Sequence, residues 1–499
     1  MAQGGSMAKR CWSCGIACGV VVLIAARVLA SEGQGKNGWQ WTPLLSDRAR
    51  VEVVSWFAPP PGRTSADAED YSFYANQLRF GGEVTWQFVQ FIAEGQYTQL
   101  LGLPEDASLP PPEGNLGPGA VYFAHTRRHN QGEVFLKRGF VALRGSEALP
   151  ELSVTFGRFE YSDGLETLPK DASLAWLKRA RVAERLVGPF GYTHVTRSFD
   201  GLRAGWDQAR WNLTAMVSRP TQGGFEISAN PELRDISLAG LAWTLKEQPE
   251  LFPVDARLFW LYYEDQRDNA LKVDNRPREI RAADRKDIAI HTVGLHALGV
   301  VPLEVGKADY LVWLAVQRGR WGDLDHAAWA WSLEGGYQLP SLFAQPWLRV
   351  GYTQTSGDTN PNDNQHETFF QMLPTARVYA QTPFYNLMNV EDFFAQVLLR
   401  PHAQVNVRAD WHWLRVNDSR DLWYAGGGAS NARIFGFSGI PTGGHRELAH
   451  LADFSIGWNI HRRLTAYAYY GHAFGQNVVG RTFTGKQLDY AYVELTARY

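Results

Sequence analysis

Ala403-Gln404-Val405-Asn406-Val407-Arg408-Ala409-Asp410-Trp411-His412-Trp413 alternates without a break. Ala403, Val405, Val407, Ala409, Trp411 and Trp413 share one face of an extended chain, and Gln404, Asn406, Arg408, Asp410 and His412 share the other, because successive strand side chains point to opposite sides. A strand that crosses a bilayer needs about 9 to 11 residues. This stretch has that length, with aromatics at one end and ionisable groups only on the side away from the apolar stripe. It reads as the wall of a water-filled barrel. A half-buried strand of a soluble sandwich has the same alternation, so recurrence along the chain decides between the two.

The pattern recurs at hairpin spacing. Phe454, Ile456, Trp458 and Ile460 alternate with Ser455, Gly457, Asn459 and His461, and after Arg462 and Arg463 the pattern resumes with Leu464, Ala466 and Ala468. Tyr310, Val312, Leu314 and Val316 form another apolar row, as do Leu348, Val350 and Tyr352, and Trp211, Leu213, Ala215 and Val217. Helical periodicity is scarce by comparison.

Length and composition allow one closed sheet. The 499 residues contain no Pro/Gly/Ser-rich linker or charge run that divides them. At about 25 residues per strand with its share of turn and loop, the chain supplies roughly 16 to 18 strands, a size that leaves an aqueous lumen. A mean hydropathy of −0.28 excludes a helical membrane protein. It does not exclude a barrel, in which only every second strand residue meets lipid.

Lys9 and Arg10 precede an apolar stretch from about Cys11 to Ala26, and Val28-Leu29-Ala30 ends on a small residue, so residues 1–30 read as a secretory signal peptide and 31–499 as a single barrel domain. Cys11, Cys14 and Cys18, the three cysteines of the chain, fall inside that leader. A Cys-x-x-Cys there is accidental rather than a redox or metal pair. Without Lys9, Arg10 and Arg27 the chain has 46 basic against 51 acidic residues, so net charge says little about a ligand. The type of base says more: 39 Arg against 10 Lys. Arg pairs two-pronged with carboxylates, although codon bias gives the same count.

Ser31 to Asp47 reads as an exposed segment, with strands beginning near Arg50 to Phe57. Val134 to Arg144 and Leu152 to Tyr161 flank a short turn, and Leu103 to Gly119 is a loop. Ser173 to Leu186 has helical character, with Leu174, Leu177 and Val182 apart from Lys178, Arg179, Arg181 and Arg185; a solvated external helix is expected over one folded into the lumen. Asp265 to Asp287, densely charged with mixed sign, suits a surface loop. Asp358, Asn360, Asn362, Asp363 and Asn364 resemble a fragment of a calcium loop, but with neither the glycine nor the closing acid. A polar turn is the reading there, and no metal site is expected.

Ala491, Val493, Leu495, Ala497 and Tyr499 alternate to the last residue, which resembles the final strand of bacterial outer-membrane proteins. Arg185-Leu186-Val187-Gly188-Pro189, then Thr196-Arg197-Ser198-Phe199-Asp200-Gly201-Leu202-Arg203, resembles the alginate export family of outer-membrane barrels. So do Ser356-Gly357-Asp358 with Pro361, Asp363 and Phe369, the Leu373-Pro374-Thr375 that follows, and Phe156-Gly157-Arg158. The similarity runs from about Tyr71 to the end. One departure is Ala376-Arg377-Val378-Tyr379-Ala380, where members often carry His-Tyr-Gly.

The resemblance implies an all-β transmembrane antiparallel barrel of about 18 strands, with short periplasmic turns and long extracellular loops. It also implies residence in the bacterial outer membrane and an arginine-rich lumen conducting an anionic uronate polysaccharide. The implied partners are that polysaccharide or an oligosaccharide, outer-membrane lipid and periplasmic secretion components, with no cofactor and no nucleic acid.

Strand phase points Arg349, Arg400 and Arg408 to the lumen, and the resemblance adds Arg158, Arg197 and Arg203; Asp200 and Asp410 would hold the arginines and temper their field. Trp411, Trp413 and Trp458 read as interfacial girdle, whereas Tyr467 and Tyr469 face either way. A passive porin for small anionic solutes is the nearest alternative. An enzyme is not expected: no Gly-x-Ser-x-Gly elbow occurs, and His445-Arg446-Glu447-Leu448-Ala449-His450 lacks the zinc-protease spacing.

Overall fold

The computed structural model describes residues 33–34, 38–146, 148–247, 254–375, 381–428 and 430–499. The expected leader and the Ala376–Ala380 departure lie outside them. Eighteen strands form the wall: β1 (Trp39–Ser55), β2 (Asp70–Trp86), β3 (Val89–Leu101), β4 (Gln131–Ser146), β5 (Leu149–Phe159), β6 (Phe199–Asp207), β7 (Trp211–Pro220), β8 (Ile236–Leu245), β9 (Asp255–Asp265), β10 (Ile288–Pro302), β11 (Lys307–Trp321), β12 (Leu324–Gln338), β13 (Trp347–Thr355), β14 (Val390–His402), β15 (Val405–Val416), β16 (Glu447–His461), β17 (Leu464–Gly475) and β18 (Gln487–Arg498). Each pairs antiparallel with its sequence neighbours, and β18 pairs with β1 from Ser46↔Arg498 to Ser55↔Asp489, which closes the ring. Closure satisfies every wall strand's backbone on both sides, the condition for a sheet in lipid.

The wall is inside out relative to a soluble domain. Val493, Leu495, Phe454 and Ile456 point outward and are 55%, 46%, 43% and 37% exposed, whereas Asp410, His412 and Asp453 point inward and are buried. Aromatics ring the wall near both ends. Trp39, Trp86, Trp206 and Trp458 lie by the short turns, and Trp329, Phe393, Trp413 and Phe474 by the long loops, all outward and exposed. Amphipathic rings are most stable at such interfaces.

The first strand begins earlier than its sequence indicated. Trp39 to Asp47 belongs to β1 and pairs with β2 from Trp39↔Trp86. Trp39 stacks on Trp86 with centroids 5.3 Å apart, and the Trp41 ring lies over Gly82, whose missing side chain leaves it room. Ala403 and Gln404, conversely, form the turn between β14 and β15 rather than strand.

Among the described residues, the inside of the wall is a packed core. The segment between β5 and β6 descends into the barrel as α2 (Ala172–Leu177), capped by the Asp171 carboxylate accepting from the Leu174 amide at 2.9 Å, and continues as a π-helical turn, Lys178–Val182. α1 (Pro118–Thr126) lies between β3 and β4. The α2 segment meets the β13–β14 connection through a backbone ladder, Gly188 N to Leu373 O at 2.8 Å and Leu373 N to Leu186 O at 2.9 Å. Leu174, Leu177, Leu186, Phe369 and Leu373 join Trp313 and Leu311 of the wall in one buried cluster. The expectation of an external helix over Ser173–Leu186 is therefore corrected: the helix is inside. Its tip is held by the closing strands, because Arg48 of β1 donates to the Gly191 and Thr193 carbonyls and Tyr192 hydrogen-bonds Tyr490 of β18.

Candidate functional site

The basic residues of the inner segment are placed by carboxylates on the wall. Lys178 Nζ donates to both oxygens of Asp255 on β9 at 2.8 and 2.9 Å. Glu334 on β12 accepts from Arg181 at 2.9 Å, from Arg185 at 3.1 Å and from Arg349 of β13 at 3.1 Å, and Arg349 also reaches Asp309 of β11. Arg257 of β9 closes on Asp163 and Glu166 at 2.7 Å each. Charges taken out of water are tolerable only when paired in this way. Glu334, Asp255 and Asp309 escaped the sequence reading. The outward Leu333 beside Glu334 was the available signal, since a charge in mid-strand on the inner row marks function or anchoring.

The expected pathway residues separate into three groups. Arg408 and Arg400 reach a cavity of about 530 Å³ at the short-turn end, lined also by Trp176, Trp347, Gln345, Asn406 and Tyr467. Arg408 is paired with Asp410 at 2.8 Å, and Arg400 donates to the Ala403 carbonyl. Arg203 also points inward, its guanidinium 5.7 Å from the Tyr161 ring centre and without an acidic partner among the described residues. Arg349 and Arg197 are inside but sequestered. Arg197 donates to the Gly428 and Pro374 carbonyls and lies over Phe190, tying three connections together.

Arg158 and Asp200 are a correction. They pair with each other two-pronged at 2.6 Å, but on the outward face at the long-loop end, in the same rows as the exposed Phe156 and Leu202. Strand parity puts them there: Phe199 and Arg203 turn inward, so Asp200 and Leu202 turn out. Gly157, between Phe156 and Arg158, has φ +123°, and a Cβ there would meet the Gly139 carbonyl oxygen at 2.4 Å. The Phe-Gly-Arg run thus serves a close strand approach.

Tyr467 and Tyr469 face inward, stacked with Tyr492. Their hydroxyls are engaged by Gln381 and Thr382 of the inner connection. Trp411, Trp413 and Trp458 lie on the outward rows. In the polar loop, Asp358, Asn360 and Asp363 each accept from the backbone amide two residues on, at 2.9 to 3.2 Å. Their oxygens make turns. The mixed-sign loop 266–287 is less solvated than expected, because Arg276 is buried between Asp274 and Asp284 at 2.9 and 3.0 Å. A concavity of about 900 Å³ is on the outward wall where Ala395, Ala409 and Ala452 dip between Leu348 and Phe454. It belongs to the lipid side and is not a passage.

The sequence from residue 67 to 491 matches the alginate export family. The chain belongs to that family. No curated protein sequence matches it. Its fold is similar to that of solved outer-membrane barrels. OccAB1 of Acinetobacter baumannii has a TM-score of 0.56 at 9% identity, covering 94% of this chain and 99% of that one. OprD from Pseudomonas aeruginosa has 0.52 at 10%, covering 92% and 93%. Pseudomonas aeruginosa OpdK, solved with vanillate, has 0.52 at 9%, covering 91% and 98%.

This alginate export barrel therefore resides in the bacterial outer membrane as a porin-like channel. The short-turn end, which also carries Trp39 and Arg498, is the periplasmic one in such barrels. The cavity with Arg400 and Arg408 is thus a periplasmic mouth. A smaller cavity, about 280 Å³, lies among the extracellular loops, lined by Trp56, His125, Phe225, Phe384 and Trp423.

Proposed function

We propose that the barrel passes an anionic, uronate-bearing saccharide across the outer membrane, with the periplasmic mouth as its first binding place. The observation that carries this reading is the lining of that mouth: two arginines, Arg400 and Arg408, together with the aromatic side chains of Trp176, Trp347 and Tyr467 and the amides of Gln345 and Asn406. A guanidinium suits a sugar carboxylate, aromatic faces suit the apolar faces of sugar rings, and amides suit hydroxyls. Arg203, on β6, is a further inward-facing arginine. Many weak sites move a polyanion better than one strong one. Arg197 and Arg349 join these arginines only when the inner segment shifts, and Asp410 tempers Arg408. Periplasmic secretion components are the partners that deliver a polymer to this mouth. No catalytic role is assigned; turnover of lipid or polysaccharide by the purified protein would reopen it.

A second reading, passage of small anionic solutes, is favoured by the packed interior. OpdK, a barrel of similar fold, was solved with vanillate, a small carboxylate. Planar-bilayer conductance separates the two. Anion-selective current blocked by alginate oligomers and not by a neutral polysaccharide supports the first reading, and free conductance blocked by neither supports the second.

A further inference from the structure

Beyond transport, one inward-facing cluster has the composition of a ligand set. Asp410 and His412 of β15 and Asp453 of β16 bring two carboxylate oxygens and one ring nitrogen to within 4.8 Å of one another. Asp410 and Asp453 are register partners, and His412 lies on the same inward row two residues along. All three are buried, His412 completely.

The hydrogen bonding is unfinished here. His412 Nδ1 is held by the Asp392 carboxylate of β14 at 2.9 and 3.0 Å, and Nε2 is buried with no partner among the described residues. Asp453 Oδ1 and both oxygens of Asp410 also lack hydrogen-bond partners among the described residues. Arg408 is 2.8 Å from Asp410 Oδ2, but its Nε is not aligned for a hydrogen bond. Buried polar atoms are nearly always satisfied, and a convergent set that is not points to a missing water or ion. Asp410 and Asp453 act on the Arg408 guanidinium, and Asp410 and Asp392 act on that of Arg181, whose hydrogen-bonded anion is Glu334, so three carboxylates share two guanidinium groups of which one is already paired elsewhere.

We infer that Asp410, His412 Nε2 and Asp453 form a site for a divalent transition-metal ion of borderline character, such as Zn²⁺, with Asp392 as the positioning carboxylate. One imidazole and two carboxylates with an open fourth position suit that class. A carboxylate on the far ring nitrogen fixes the tautomer, leaves the Nε2 lone pair facing the site and strengthens it as a ligand. Tetrahedral Zn²⁺ brings its donors to about 3.4 Å from one another, so small side-chain rotations close the set. Arg408 lines the periplasmic mouth immediately below, which provides the route in. The metal ties β14, β15 and β16 together at the top of that mouth and turns Arg408 toward the cavity.

The test uses the untagged full chain, folded in detergent and stripped with chelator, with folding verified by heat-modifiable gel mobility. Equilibrium dialysis against Zn²⁺ is expected to give one ion per chain, and X-ray absorption of the loaded wild type to give one nitrogen and two oxygen protein ligands. His412→Gln and Asp453→Asn are expected to abolish stoichiometric binding. Asp392→Asn is expected to weaken it about 10- to 100-fold, and Arg408→Gln, which frees Asp410, to tighten it. Absence of stoichiometric Zn²⁺ on the wild type means that the cluster holds water or a protonated His412, and overturns the proposal. So does binding that survives in both His412→Gln and Asp453→Asn. If either variant fails to fold, the wild-type absorption spectrum decides, and a ligand set without nitrogen overturns the assignment.

Discussion

Glu334 and Arg349 meet inside the barrel, carboxylate to guanidinium at 3.1 Å, with both side chains closed to solvent. The same carboxylate holds Arg181 and Arg185 of the inner segment. One anion on β12 therefore fastens the segment to the wall.

Replacing Glu334 by Gln leaves three guanidinium groups without their shared anion. Removing one partner of a buried pair costs about 3–5 kcal/mol, and here the cost falls on the docking of residues 172–198. The barrel is expected to stay folded by heat-modifiable mobility while its single-channel conductance rises. Unchanged conductance would show that the segment is held by its apolar contacts instead.

Arg203→Glu and Arg408→Glu reverse the charge at two inward positions. Both are expected to shift the reversal potential under a KCl gradient toward cations, reducing anion preference on the order of a few-fold. A potential that does not move would remove them from the pathway.

Arg158→Ala is expected to behave differently. Its side chain pairs with Asp200 on the outward face, so ion selectivity should equal that of the unmodified protein, and the loss of stability should be about 1 kcal/mol or less. A change in selectivity comparable to that of Arg408→Glu would contradict the outward placement.

The extracellular loops carry a pH dependence of their own. Burial pushes the Asp358 carboxyl up to about 7, with Asp421 repelling it, and burial pushes Asp421 up to about 6. Both values lie above the ordinary 3.8, so the folded loops bind protons that the unfolded chain has released. Their contribution to loop stability is complete below about pH 4 and is lost as pH rises through 6 to 7. Amide exchange over residues 356–369 is expected to be faster at pH 8 than at pH 5, and Asp358→Asn to flatten the difference. Equal protection at both values would remove the effect.

The wall was legible because its code is local. The outward row of Trp411 and Trp413, the Phe454–Trp458 row and the terminal Val493–Leu495 row each follow from a two-residue period, and family resemblance supplied the strand number. The interior was not legible for a related reason. The bases of the α2 segment find their carboxylates 77 residues away at Asp255 and 153 residues away at Glu334, and no pattern within the segment reports such distant partners. Arg158 and Asp200 were a different failure. Strand parity puts them outside, beside Phe156 and Leu202, and a motif shared with the family carries no information about which face of the wall its residues take.

Arg48 on the first strand and Tyr490 on the last both grip the tip of the inner segment. A ring whose two ends hold the same inner piece has its seam and its interior coupled: loosening residues 186–198 takes side-chain contacts away from both strands that close the barrel.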